Sequence, residues 1–480
     1  MATVIFAAII VFSLLLALLA ARGRDVLKIE EYLVGGRSFS GVLLFFLAVG
    51  EIYSIGTMVG LPGGIYANGA SYGIWFLGYI LLAYPVGYFL APLVWRAGKR
   101  YGSMTFPDML KTHYSSRLLE VVAALTFFAY LIPWAQLQFA GLQVALGALG
   151  FGISPTTATA VAAVIAFAYI IFSGVRAPAN ISILKDILLF GAIVIVGVAA
   201  AYAVGGVADV FGAAAEVNPS SLIVGEGQAM TFALTTIVFQ ALGFITLTTP
   251  FIFTGRSEAT VKRTYIVMPL YMLMYPFLIF AAYYAISAVP DLEQPNAALF
   301  AASVELLPPW LLGLVAGAAA LSGLLILAVL SLTIGGVLSR NITPNLPDNS
   351  QRRLTQVVVT VYLIATAALT ILAPALMLNL ISAAYFFVTQ LLPGLIGILF
   401  VRQFSALGLT AGLIAGNAAV LVLNFSQPNL AGINIGLVAL LLNFAVTIAV
   451  SAVTKNESSL APVAASRESA ETRRAERSVT

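Results

Sequence analysis

Glu51 is the residue here whose chemistry is hardest to explain as packing. It stands about ten residues inside the apolar run 41–64, roughly 15 Å along a helix and near the midplane of a bilayer. With no cation to pair with, its carboxyl is expected to be protonated for much of the time. A group that loads and unloads a proton at that depth is what proton coupling requires. A glutamic acid held neutral against a backbone carbonyl fits the same position. Other polar side chains also fall inside apolar runs: Gln136, Gln138 and Gln143 beside Pro133, then Gln240, Thr246, Ser322, Ser331, Thr333, and Gln390 before Pro393. Each is either a substrate contact or a hydrogen bond between helices. Tyr385, Phe386 and Phe387 either close over a substrate or pack. Enzymatic chemistry has little to build on, because there is no cysteine and the single histidine, His113, sits in a charged loop. No catalytic residue, cofactor or confident metal site is expected.

The elements that must position these residues are membrane helices. Of 480 residues, 61% are hydrophobic and 9% charged, against roughly 25% charged in an ordinary soluble domain. Charge-free gaps of about 20 residues or more are candidate passages. Splitting the chain at its charges gives thirteen, with Glu51 the one charge inside any of them. The sixth passage is placed at 187–208, which leaves Lys185 and Asp186 in the loop before it. An odd count puts the termini on opposite sides. With the N-terminus outside and the C-terminus cytoplasmic, all 23 basic residues lie inside. The outer loops then carry only acids, among them Asp209, Glu216, Glu226, Asp291, Glu293 and Glu305. The first run lacks a basic leader and reads as a retained helix. The tail from 454 has no apolar periodicity and reads as disordered.

Two passages look broken. The run 41–64 carries Gly50, Gly56, Gly60 and Pro62, and the seventh, beginning at Gln228, carries Gly243, Thr246, Thr248, Thr249 and Pro250. Discontinuous helices offer carbonyls to cations and half-helix N-termini to anions. These two lie five passages apart and so run in opposite directions, as two inverted five-helix repeats require.

On these residues the chain resembles the sodium:solute symporter family, and within it the monocarboxylate permeases. The resemblance rests on Glu31-Tyr-Leu-Val-Gly-Gly-Arg37, Gly50-Glu-Ile-Tyr-Ser54, Gly60-Leu-Pro-Gly63, Ser173-Gly-Val-Arg-Ala-Pro178 with Lys185-Asp186, Ser339-Arg-Asn-Ile342 and Gln390-Leu-Leu-Pro393. It implies an all-α integral membrane protein of thirteen transmembrane helices with a LeuT-type core, working by alternating access. The implied layout is a first helix and loop at 1–40, repeats at 41–204 and 228–402 around an outer loop at 205–227, two further helices at 403–453 and a tail at 454–480. In sodium-coupled relatives the ion is held by second-span carbonyls, here near Gly50 and Tyr53, and by ninth-span hydroxyls. Those hydroxyl positions fall on Leu325 and Ile326, which supply no oxygen, although Ser322, Ser331 or Thr333 restore a donor if the register shifts by a turn. The branch tends to carry a histidine after the seventh-span proline, where this chain has Phe251.

The expectation is therefore a symporter in the plasma (inner) membrane, importing a small organic acid such as a monocarboxylate with protons. Glu51 would serve the coupling ion, with Gly50, Tyr53, Ser322 and Ser331 around it. Tyr53, Gly56, Thr57, Gln138, Gln240, Thr246 and Gln390 would face substrate. Partners are a small molecule and membrane lipid, with no nucleic acid. The alternatives are a sodium-coupled symporter of an amino acid or other solute, and a transporter-like sensor or channel.

Overall fold

The computed structural model describes residues 1–20, 39–150, 154–173, 176–343, 346–454 and 460–464. The motif at 31–37 and most of the tail from 454 lie outside them. In chain order the helices begin α1 (Ala2–Ala20), α2 (Gly41–Ile52), α3 (Leu61–Asn68), α4 (Ala70–Tyr101), α5 (Phe106–Tyr114), α6 (Arg117–Ala148), α7 (Pro155–Ser173), α8 (Arg176–Ala203) and α9 (Val207–Val217). There follow α10 (Gln228–Leu247), α11 (Thr249–Ile252), α12 (Glu258–Val267), α13 (Tyr275–Ala288), α14 (Ala298–Leu306), α15 (Pro309–Asn341), α16 (Asp348–Leu372), α17 (Met377–Val388), α18 (Leu392–Leu399), α19 (Ala406–Ser426) and α20 (Ile435–Val453). Where the sequence predicts thirteen passages, ten helices among the described residues are long and apolar enough to cross a membrane. Shorter apolar helices run over Ala2–Leu16 and Pro155–Ala168, and the run 41–64 is divided by a break.

The molecule is built around α15. In its most apolar stretch 89% of residues are buried, more than in any other long apolar helix described. The sequence explains this: Gly313, Gly317 and the run Ala318, Ala319, Ala320 leave little side chain, so α1, α6, α8 and α16 approach closely. At the periphery α19 lies on α20 for the same reason. A Cβ added at Gly412 would come within 2.0 Å of Thr447 Oγ1, so only glycine fits that crossing.

Two expectations fail here. The seventh passage does not unwind: α10 leads into α11 through Thr248 in right-handed helical geometry. Its threonines turn their hydroxyls back on the helix, Thr248 to the Phe244 carbonyl at 2.9 Å and Thr249 to the Ile245 carbonyl at 2.9 Å. These bonds tie the hydroxyls to the helix's own carbonyls, and Pro250 sits in the first turn of α11, where proline is tolerated. The sixth passage begins earlier than expected. Lys185 and Asp186 are not in a loop but inside α8, with side chains fully buried against the bundle. Treating charges as boundaries hides a charge pair that packing neutralises.

One end of the bundle is sealed. Thr105 caps α5 in a reciprocal box with Asp108, and Pro107 sits in its first turn. Asp108 also accepts from Arg340 Nε at 2.7 Å and Asn341 Nδ2 at 2.6 Å, tying α5 to the end of α15. Asn341 reaches Glu120 Oε1 at 2.8 Å, and Glu120 pairs with Arg117 and Lys111. Nearby, Trp95 Nε1 donates to the Gly255 carbonyl at 2.6 Å, Arg96 pairs with Glu258 at 2.8 Å, and Phe39 forms a parallel bridge with Gly255. His113, expected in an open loop, is buried in this end with Nδ1 2.9 Å from the Tyr101 hydroxyl. Burial first, and Arg100 second, lower its pKa from 6.5 to about 4. The other end opens into a wide cleft whose lining includes Asn68, Gln143, Glu293, Asn296 and Glu305.

Candidate functional site

The site forms where α2 ends. Ser40 caps the start of α2 by accepting from Leu43 N, and the helix stops at Tyr53, whose φ of −102° and ψ of 68° leave helical geometry. Ser54 starts the chain again. Its carbonyl accepts from Thr57 N and Met58 N at 3.0 Å each, and its Oγ accepts from Gly56 N at 3.1 Å. A π-helical turn, Gly56–Gly60, then runs into α3. A Cβ at Gly56 would meet Leu137 Cδ2 at 2.8 Å, so glycine lets α6 pack closely on the break. Two half-helices thus meet in the middle of the bundle, one presenting carbonyls and the other a positive N-terminus.

On one side of the break lies a small, nearly filled cavity of about 10 Å³. Ser54, Gly56 and Thr57 supply its floor, and its walls are Phe76, Tyr79, Trp134, Leu137, Phe244, Leu247, Ile381 and Tyr385. Tyr385 packs edge-on against Tyr79 at 5.3 Å and Trp134 at 6.0 Å, so the aromatic run encloses the cavity and packs at once. Trp134 Nε1 is buried without a hydrogen-bond partner. The open space is about that of one water, and its lining offers a helix N-terminus, hydroxyls and one indole N–H to a small ligand for which the walls would have to part.

On the other side of the break are charges. Lys185 Nζ donates to the Tyr53 carbonyl at 3.4 Å and pairs with the Asp186 carboxylate, and both side chains are 0% exposed. The Tyr53 ring lies among Tyr271 at 5.0 Å and Tyr275 at 5.8 Å, with its hydroxyl bonded to that of Tyr84. The Tyr271 hydroxyl interacts with Asp186.

The structure divides the expected site residues. Gly56 and Thr57 line the cavity. Tyr53 stands at the break but gives its ring to aromatic packing and its carbonyl to Lys185. Gln138 donates to the Trp134 carbonyl at 3.2 Å one turn from the wall, with Oε1 unpartnered, and Gln240 is buried one turn before Phe244 with both amide atoms unpartnered. Thr246 is spent on the Gly243 and Val388 carbonyls at 2.7 and 3.0 Å. Gln390 is likewise engaged: it donates to the Phe386 carbonyl at 3.1 Å and accepts from Asn443 on α20 at 3.2 Å. Ser331 Oγ donates to the Leu327 carbonyl at 2.6 Å, whereas buried Ser322 has no partner. The side chain of Glu51 and the surroundings of Gly50 lie outside the described residues.

Sequence reasoning missed Lys185, Asp186 and Trp134. Splitting the chain at its charges left no cation inside the bundle, whereas Lys185 is buried there and bonds the Tyr53 carbonyl. The signal was available: Lys185 and Asp186 stand about nine residues beyond Arg176, deep enough for a helix starting there to carry them into the bundle.

Comparison with known proteins agrees with this geometry. The model of the sodium:solute symporter family matches residues 32–331. The uncharacterized symporter YhjB of Bacillus subtilis (strain 168) is 30% identical over 96% of this chain and 98% of its own. A monocarboxylate transport permease protein of Rhizobium johnstonii is 28% identical over 81% of each chain. The structure of a Na⁺-coupled sialic acid symporter in an outward-open state superposes with a TM-score of 0.76, at 15% identity, over 96% of this chain and 99% of that one, so the fold is shared. These relatives are transporters and not enzymes. With a helix broken at the centre of an all-helical bundle and a family match over most of its length, the chain belongs to the sodium:solute symporter family.

Proposed function

We propose that the protein is a secondary active symporter that imports a small organic acid such as a monocarboxylate, driven by protons. The observation that carries this reading is the cavity lining of Ser54, Gly56 and Thr57 at the start of a half-helix, which a substrate would reach as the aromatic walls part. A carboxylate is stabilised by such an N-terminus without a cation in the cavity, and none of the residues lining it is basic. The likeness to a monocarboxylate transport permease protein supports the substrate class. The chain would cross the plasma (inner) membrane thirteen times, with the N-terminus outside and inverted repeats at 41–204 and 228–402. The sealed end, rich in Lys and Arg, would be cytoplasmic, and the acidic cleft would face outward. Alternating access then consists of opening the first while the second closes.

Proton coupling is favoured by the donor set. Leu325 and Ile326 are buried without oxygen, and the Tyr53 carbonyl is engaged by an ammonium. Glu51 is proposed as the carboxyl that carries the proton. The sodium-coupled alternative, with an amino acid or other solute, draws on the family and on the unpartnered Ser322 hydroxyl. The test is uptake of labelled pyruvate, lactate and acetate into proteoliposomes under an inward proton gradient and, separately, an inward sodium gradient. Saturable proton-driven uptake, abolished in Glu51→Gln, is expected. Uptake that follows sodium alone and survives in Glu51→Gln would reject the coupling, and no uptake of any acid would reject the substrate class.

A further inference from the structure

The eleventh passage breaks as well. α17 ends at Val388, the chain tightens into a 3₁₀ turn over Thr389–Leu391, and α18 resumes at Leu392 with Pro393 in its first turn. Pro393 has no N–H to give the Thr389 carbonyl, which favours a bend there. The two halves have different neighbours. α17 brings Ile381 and Tyr385 to the cavity and Leu380 to the wide cleft. α18 packs on α5 at the sealed end, where Gly394 lies against Leu110 and Gly397 against Tyr114. Alternating access requires one half to move while the other stays.

What holds the turn comes from outside this passage. From α20, Asn443 Nδ2 donates to the Gln390 carbonyl at 2.8 Å and to Gln390 Oε1 at 3.2 Å, and Gln390 Nε2 donates onward to the Phe386 carbonyl of α17 at 3.1 Å. Asn443 is 1% exposed, although α20 is the least buried of the long apolar helices described. A single amide turned inward from a helix that otherwise faces lipid is there to bond a neighbour. Its surroundings are shaped for it. Thr447 Oγ1 donates to Asn443 Oδ1 at 3.3 Å, and a Cβ at Gly416 of α19 would stand 2.4 Å from Gln390 Oε1, so glycine leaves room for the pair. α20 is in turn fixed to α10, because Asn434 at its cap donates to Thr236 Oγ1 at 2.8 Å.

We propose that Asn443 is a positioning residue for transport: its amide holds Gln390, and with it the turn between α17 and α18, so that α17 swings the Tyr385 wall about a fixed point while α18 stays on α5. The inference rests on the alternating-access reading, and on neither the acid nor the coupling ion. Without the amide, the turn is held from other helices chiefly by Thr246 Oγ1 on the Val388 carbonyl at 3.0 Å, and α17 loses its pivot.

The chain has no cysteine, so single Leu380→Cys on α17 and Val144→Cys on α6, both in the lining of the wide cleft, report on the two walls separately. Asn443→Leu is expected to speed maleimide labelling of Leu380→Cys several-fold and to leave Val144→Cys unchanged, because only α17 is released. In proteoliposomes it should lower kcat for uptake about tenfold with KM within about twofold, since the cavity lining is untouched. Labelling of Leu380→Cys at the wild-type rate overturns the proposal. So does equal acceleration at both positions, which general loosening of the bundle would give, and so does an unchanged kcat or a loss confined to KM. If Asn443→Leu does not fold, Asn443→Ser, whose hydroxyl falls short of Gln390, decides by the same rates. If the wild type moves none of the acids, the functional reading fails, while the labelling comparison still decides on Asn443.

Discussion

Trp134 brings an unpartnered indole N–H to the cavity wall, and a buried donor without an acceptor costs about 1–3 kcal/mol until a ligand or water satisfies it. A carboxylate oxygen is the acceptor this reading supplies. Trp134→Phe keeps the ring packing with Tyr385 and removes only the donor, so KM for the transported acid should rise about three- to tenfold with little change in Tm. Kinetic uptake measurements check this, and an unchanged KM would take Trp134 out of the substrate shell. Gln390 and Thr246 show the opposite case. Both are buried polar residues in the expected passages, yet both are consumed by backbone and Asn443 contacts. Residue type announced that a partner exists, and only the fold names the partner.

Asp108 holds two elements together, through the cap of α5 and the bonds to Arg340 and Asn341 at the end of α15. Asp108→Ala removes all three and should weaken the sealed end by about 2 kcal/mol, a shift of roughly thirtyfold in its closed population. The chain has no cysteine, so a single Thr333→Cys in the narrow pocket behind this seal reports on it directly. Maleimide labelling there should accelerate several-fold in the Asp108→Ala background. Equal rates in the two backgrounds would mean that the seal is carried elsewhere, by the Trp95 and Phe39 contacts with Gly255. At the same scale, the break in α2 was legible from Gly50, Gly56, Gly60 and Pro62. The continuity of α10 into α11 was not, because glycine, threonine and proline in a passage allow a break without requiring one, and Thr248 keeps right-handed helical geometry.

For the whole molecule, stability should depend on pH through His113, which is neutral in the fold down to about pH 4. Its stabilising contribution is fully present above the unfolded value of about 6.5 and is lost as pH falls from there toward 4, because only the unfolded chain takes up the proton in that window. Tm measured from pH 7.5 to 4 should therefore fall, and His113→Gln should flatten that part of the curve; parallel curves would show that His113 contributes nothing. Composition, the spacing of charges and the placement of Lys and Arg were enough to establish a helical membrane bundle with a broken second passage. Lipid imposes those rules on a chain before any tertiary contact forms. The sequence alone did not reveal that Lys185 and Asp186 lie inside a helix, that Trp134 meets Gly56 and Thr57 at one cavity, or that Gln390 belongs to α20. Those depend on which faces of distant helices meet. A charge is affordable in the bundle only where a residue far away in sequence, here Tyr53, leaves an oxygen free to receive it.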